Sequence, residues 1–214
     1  RDRDAAGAAI LALYQNETHR LRVKRRFLEA IARTTKWDTS ELLNAEMHSE
    51  DPVIRFLCMK YLSQKKKAAP DAQSVATVLT LEIEHWIWIE TIRHSLIRPD
   101  TRPDTRNIVD LIFGEELHRT RKTVFLAMGF LKDRATLQRI YRNFFYGAPG
   151  ERALAMEALE NLDLKPWPGV LLPLMSGNDL EEAKTQFQKV RPGTDFSTER
   201  ILNQLVSLSY DYIL

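Results

Sequence analysis

PVIRFLCMKYL at residues 52–62 and PGERALAMEAL at residues 149–159 share Pro, Arg, Leu, Met and Leu in a single register, 97 positions apart. Internal repetition is read before any other signal, because it determines the whole fold. Each copy opens with a proline where a helix would begin, a position at which the absent N–H does no harm. Leu57, Met59 and Leu62 then mark the stripe of a helix that packs against a neighbour. We read each copy as the second helix of an antiparallel hairpin. Arg55, Arg121 and Arg152 lie 66 and 31 residues apart, two units and one unit of a 31–33-residue repeat, with His118 in place of the turn proline in the middle copy. Such units cannot bury their faces alone, so the expected fold is all-α, a curved stack of hairpins forming an α-α superhelix.

Working outward, Ala-rich residues 5–14 read as a first helix and 18–33 as a second, with Val23, Phe27 and Ile31 on its apolar side. A short helix is expected from Asp38, three residues before Glu41 in a capping-box arrangement. The repeat helix follows from Pro52 to about residue 64, and Lys65, Lys66, Lys67 and Pro70 make a solvated connection. Val75, Val78, Leu79, Glu82, Trp86 and Ile89 trace the stripe of a long helix. The tandem RPDTRPDT at 98–105 carries two prolines four apart and predicts a loop or hinge over 98–106. A second long helix is expected over 107–131 with Ile108, Leu111, Ile112 and Phe125 on one side, then helices over 134–146 and 149–162. Pro166, Pro168 and Pro173 predict a loop and a short helix; Asn178 with Glu181 caps another, and Ser197 starts a last one over 198–212. We treat 1–214 as one helical domain.

The composition narrows the function classes. Thirty-one basic and 29 acidic residues leave a net charge of +2, so there is no overall nucleic-acid signature and a nucleic-acid partner is not expected. No stretch approaches the ~18 apolar residues of a membrane span, and no signal peptide is visible. The single Cys58 excludes an internal disulfide and suits a reducing, cytoplasmic setting, and it falls on the apolar side of its helix. The chain begins at Arg1, and we expect it to be a piece of a longer protein.

The run DPVIR at 51–55 resembles the opening of the second helix in HEAT repeats. RKTVFLAMGFL (121–131), IYR (140–142) and AMEALENL (155–162) narrow the resemblance to a bacterial HEAT segment. That segment occurs in large proteins that join a transporter-like membrane domain, related to nucleotide translocases, to soluble HEAT repeats; many also carry a cyclic-nucleotide-binding domain. The resemblance covers under half of the chain and implies a HEAT-like, armadillo-like solenoid acting as a regulatory or scaffolding part of a larger protein, cytoplasmic or at the inner face of a membrane. Its partners would be another protein or neighbouring domains of the same chain. Neither the membrane part nor a phosphate-binding cassette appears in these residues, so functions residing there do not carry over.

Two constellations are candidate sites. Glu82-x-x-His85 and Glu115-x-x-His118 place Glu and His on one face of each long helix, as in helical bundles that hold two metal ions, and an antiparallel hairpin turning near Thr101 would bring His85 and His118 to similar heights. The expected reading is a hydrogen-bonded or partly solvated Glu–His pair on each helix without metal, the shared spacing being a coincidence of repeat ancestry; metal binding is the alternative. Arg22, Arg25, Arg26 and Arg33, joined by Lys65, Lys66 and Lys67, form a basic face that would attract phosphate or an acidic partner. HEAT-like folds include DNA glycosylases, and Trp37, Trp86, Trp88 and Asp38 supply the residue types without a recognisable pattern; of Trp86 and Trp88, on different helix faces, one is expected to be exposed. No Gly-rich phosphate loop, nucleophile elbow or Cys/His cluster is present, so neither catalysis nor a cofactor is expected.

Overall fold

Pro52 occupies the first turn of its helix and Asp51 caps it, the carboxylate accepting from the Val53 N–H at 2.8 Å. The structure, a computed structural model, describes residues 14, 21–33, 39–65, 69–97, 100–177, 179–197 and 199–200, with backbone alone at 21, 22 and 31–33. Among the described residues all regular structure is helical and no strand occurs. The helices are α1 (Leu21–Arg33), α2 (Ser40–Glu46), α3 (Pro52–Leu62), α4 (Ala72–Leu96), α5 (Pro103–Leu131), α6 (Arg134–Tyr146), α7 (Pro149–Glu160), α8 (Trp167–Ser176) and α9 (Leu180–Val190). The expected helices over 5–14 and 198–212 fall outside the described residues, apart from buried Tyr14 and the two positions 199 and 200.

Consecutive helices pack as neighbours, α4 on α5, α6 on α7 and α8 on α9, while α3 also reaches α5 and α9 returns to α4. The long pair α4–α5 is therefore the spine. Every member of the stripe read on α4 is buried, and so are Ile83, Ile87, Trp88, Glu90 and Ile92. The buried stretch of such a helix needs cover on several sides; α5 and α9 pack along it, Phe145 of α6 lies against Trp86, and α3 reaches it through Arg55 on Glu82. This corrects the expectation that one of Trp86 and Trp88 is exposed: they are 0% and 8% exposed.

Several boundaries also differ from expectation. Pro103 opens α5 instead of prolonging the loop, so the connection is confined to residues 97–102. Proline's fixed φ suits the first turn, whose N–H groups have no intrahelical acceptor anyway. His118 marks no turn, since α5 runs through it unbroken. On α1 the fully buried residue is Leu28, while Phe27 is half-buried and Val23 is exposed. Thr39 stands at the α2 cap without a side-chain capping hydrogen bond, and Asp38 lies outside the described residues. Asp179, in place of Asn178 with Glu181, caps α9 by accepting from the Glu182 N–H at 3.1 Å. Pro173 sits inside α8 without ending it.

The two repeat copies agree on one side and part on the other. Cys58 and Ala155 are both buried, as are Leu62 and Leu159. Leu57 is 7% exposed but Leu154 is 63% exposed, and Arg55 is buried where Arg152 is open to solvent. Among the described helices α3 packs against α1, α2 and α5, whereas α7 packs mainly against α6 and α8, so equal residues meet unequal surroundings. Leu57→Ala should then cost about 2–5 kcal/mol and Leu154→Ala no more than about 0.5 kcal/mol. Equal losses in denaturant titrations of the two variants would contradict this packing.

Candidate functional site

The α3–α4–α5 junction concentrates buried charge. Asp51, besides capping α3, receives Arg25 Nε and Nη2 at 2.6 and 2.9 Å. One turn on, Arg55 donates Nε to Glu82 Oε1 at 2.5 Å and Nη1 to the Ser49 and Glu50 carbonyls at 2.8 Å each. Glu82 is fully buried, and its Oε2 has no hydrogen-bond partner. Burial pushes the Glu82 carboxyl up, and the nearby Arg55 and His85 oppose that only in part. His85 turns away from Glu82 and places Nε2 3.0 Å from Glu116 Oε1 on α5, whose other oxygen takes Arg119 Nη1 at 2.7 Å. Burial works to raise the Glu116 carboxyl, but His85 and Arg119 outweigh it and hold the group below its ordinary value.

The sign of that shift makes a prediction. A depressed carboxyl contributes stability above its unfolded value of about 4.5 and loses it as pH falls through the lower folded value. The stability difference between the protein and Glu116→Gln should therefore be full near neutrality and shrink as pH drops below about 4.5. A difference that stays constant or grows on acidification would contradict the assignment.

Beside this junction lies a cleft of about 390 Å³ lined by Glu50, Arg55, Glu84, His85, Trp88, Arg191, Asp195, Phe196 and Arg200, among others. His85 and Trp88 stack with centroids 5.8 Å apart, and Arg191 pairs with Glu84 across it. Its three guanidiniums are matched by three carboxylates, so the lining favours neither sign. A smaller cavity, about 200 Å³, adjoins Glu90, Arg93, His94 and Arg121. There Glu90 accepts from Arg93 at 2.9 Å and Arg121 at 3.1 Å, and Arg93 also reaches Asp110 at 2.6 Å. The Arg121 guanidinium lies over the rings of Trp86 and Phe145, 5.2 and 5.0 Å from their centroids.

The four metal candidates do not converge. Glu82 is engaged by Arg55 and His85 by Glu116; Glu115 is exposed; exposed His118 has Nδ1 3.5 and 3.4 Å from the Tyr141 and Tyr146 hydroxyls. No group of three or more His, Cys, Asp or Glu that could hold a metal ion occurs among the described residues. The expectation of a self-satisfied Glu–His pair on each helix is corrected as well. A buried carboxylate gains more from a guanidinium, which remains charged, than from an imidazole. The register of the hairpin also sets His85 beside Glu116, not His118.

Of the basic face, Arg25 is tied to Asp51, Arg26 is exposed, and the side chains of Arg22 and Arg33 lie outside the described residues. Lys65 hydrogen-bonds Thr39 Oγ1, and Lys66, Lys67 and Trp37 are likewise outside. Sequence reading missed Glu116 as a partner, because 31 residues separate it from His85 and nothing local links them. Arg121 was visible only as a repeat marker.

The largest departure from expectation lies on α5. Of Ile108, Leu111, Ile112 and Phe125, read on one apolar side, the first three are 57%, 78% and 61% exposed and Phe125 is buried, while Val109 and Leu117 are buried and Phe113 packs against Trp88 and Ile92. The stripe is continuous at helical spacing, and Gly114 beside it meets nothing within 4 Å of an added Cβ. Asp104 and Glu115, both exposed, bracket the stripe on the same helix line. No helix among the described residues is long and apolar enough to cross a membrane. Compared with family models, with curated proteins and with solved structures, the chain finds no match.

Proposed function

We propose that this chain is a non-catalytic interaction domain, a HEAT-like stack of helical hairpins that presents a rigid helical surface to a protein partner. The observation carrying this reading is the exposed row Ile108, Leu111 and Ile112 on α5. Adjacent exposed apolar side chains on a rigid helix mark an interaction site far more often than isolated ones do, and rows spaced i, i+3, i+4 are the form in which helices dock. The stacking of successive hairpins and the shared faces of α3 and α7 support the solenoid reading. The long α4 beneath α5, buried at 82, 83 and 86–92, supports a rigid platform. A regulatory segment of a larger cytoplasmic protein would use such a surface.

The test is photo-crosslinking in cells that make the protein, with a photoreactive residue at Leu111 or Ile112. The same discrete adduct should arise from both positions and vanish when Ile108→Asp is added. The same residue at Arg139, on exposed α6 surface, should give none. No adduct, or equal adducts from all three positions, would refute the reading.

A further inference from the structure

The face that α5 exposes is patterned in charge as well as in hydrophobicity. Asp104, Ile108, Leu111, Ile112 and Glu115 follow one another at i, i+4, i+7, i+8 and i+11. Eleven residues are close to three helical turns, so the two carboxylates sit on nearly one line, about 16 Å apart along the axis. Both are exposed, and neither has an ion-pair partner among the described residues. Among the other charged groups nearby, Asp110 pairs with Arg93, and Arg119, one turn beyond Glu115, with Glu116. Exposed Arg106 is two residues from Asp104 and so about 200° round the helix from it, and exposed Lys122 is two turns beyond Glu115. The result is an apolar centre with an unneutralised acid at each end.

That pattern selects the occupant. A second copy packed antiparallel on this stripe would oppose Ile108 to Leu111 and set Asp104 of one copy against Glu115 of the other at both ends. Like charges in that position repel. Segment 201–214 is apolar but contains Asp211 and no Lys or Arg, and segment 1–13 carries two arginines offset by two aspartates. Neither brings net positive charge. We propose that the α5 face docks an amphipathic helix of another protein, with apolar residues at i, i+3 and i+4 between Lys or Arg residues about three turns apart. The apolar centre supplies affinity, and the two carboxylates fix which helix is accepted and in what register.

This inference rests on the protein-interaction reading and names its partner's chemistry. Its test is fluorescence anisotropy of the intact protein with three labelled peptides. Two share one Leu-based apolar face, flanked by Lys in one and by Glu in the other; the third is residues 201–214. The Lys-flanked peptide should bind at least about fivefold tighter than the Glu-flanked one, from two exposed ion pairs replaced by two repulsions. The preference should fade with added salt. Asp104→Lys with Glu115→Lys should reverse the preference, and Leu111→Asp should abolish binding of both. All these positions are exposed, so thermal melts should confirm that the variants fold.

Binding through Leu111 with no charge preference would overturn this inference and leave the interaction reading standing. Binding of no peptide would overturn the inference, and with absent crosslinks the interaction reading too. Tighter binding of the 201–214 peptide would assign the face to the chain's own segment. Sedimentation showing a dimer lost in Leu111→Asp would assign it to a second copy.

Discussion

Replacing Glu82 by leucine should destabilise the protein by about 3–5 kcal/mol, because it leaves the Arg55 guanidinium buried without its counter-charge. For a chain of this size that is a fall in melting temperature of roughly 6–20 °C. Glu82→Gln should be milder, since the amide keeps an acceptor for Arg55 Nε. Arg55→Met combined with Glu82→Leu should be less destabilised than either single change, because the double variant buries no charge. Full recovery is not expected. Arg55 also satisfies the Ser49 and Glu50 carbonyls, which the double variant leaves without that donor. Additive losses in the double-mutant cycle would mean that the two side chains are not coupled.

Trp86→Ala should cost a similar amount, about 3–5 kcal/mol, for a different reason. Trp86 is 0% exposed and among the largest fully buried side chains, so truncation leaves a cavity against α5 and α6 that the neighbours fill only in part. It also removes one of the two aromatic faces over which Arg121 lies. Burial already pulls the Arg121 guanidinium down from its usual range, and Glu90 offsets that only partly, so a lost ring falls on a poorly solvated cation. Trp86→Phe should be much better tolerated, because a ring face remains and the indole N–H, which has no hydrogen-bond partner, goes with it. Loss of less than about 1 kcal/mol in Trp86→Ala would contradict the burial on which the α4–α5 spine depends.

These two residues also show what could be read from the chain. The stripe containing Glu82 and Trp86 was legible because periodicity reports which side of a helix is apolar, and the buried residues of α4 are mostly apolar. Helix α6 was expected at its observed bounds, 134–146, and the structure puts Asp133 at its N-terminal cap and Gly147 at its C-terminal one. Asp133 accepts from the Thr136 N–H at 2.8 Å. The partner of Glu82 was not legible. Arg55 is 27 residues away, and only the packing of α3 on the spine brings them together.

The same limit explains the stripe on α5. Ile108, Leu111 and Ile112 have the spacing of a core face, but periodicity cannot tell whether any element covers that face. Helix α5 turns Val109 and Leu117 to the spine and leaves the row on its opposite side uncovered. Leu154 is exposed for the same reason, on α7, which packs against α6 and α8. In both places the sequence specifies a helix and its apolar side, while topology decides what that side meets.

A docking face on α5 requires that its row of Ile108, Leu111 and Ile112 face water in the free protein, and thiol labelling tests this with a control in the same molecule. Cys58, the single cysteine, is buried, and burial pushes its thiol up, so it should react very slowly in the native state. In the Leu111→Cys variant the introduced thiol should be alkylated at the rate of an open surface cysteine, while Cys58 stays unmodified until the protein unfolds. If Leu111→Cys proves as slow as Cys58, the row is covered in the free protein, and the docking face proposed for it does not exist.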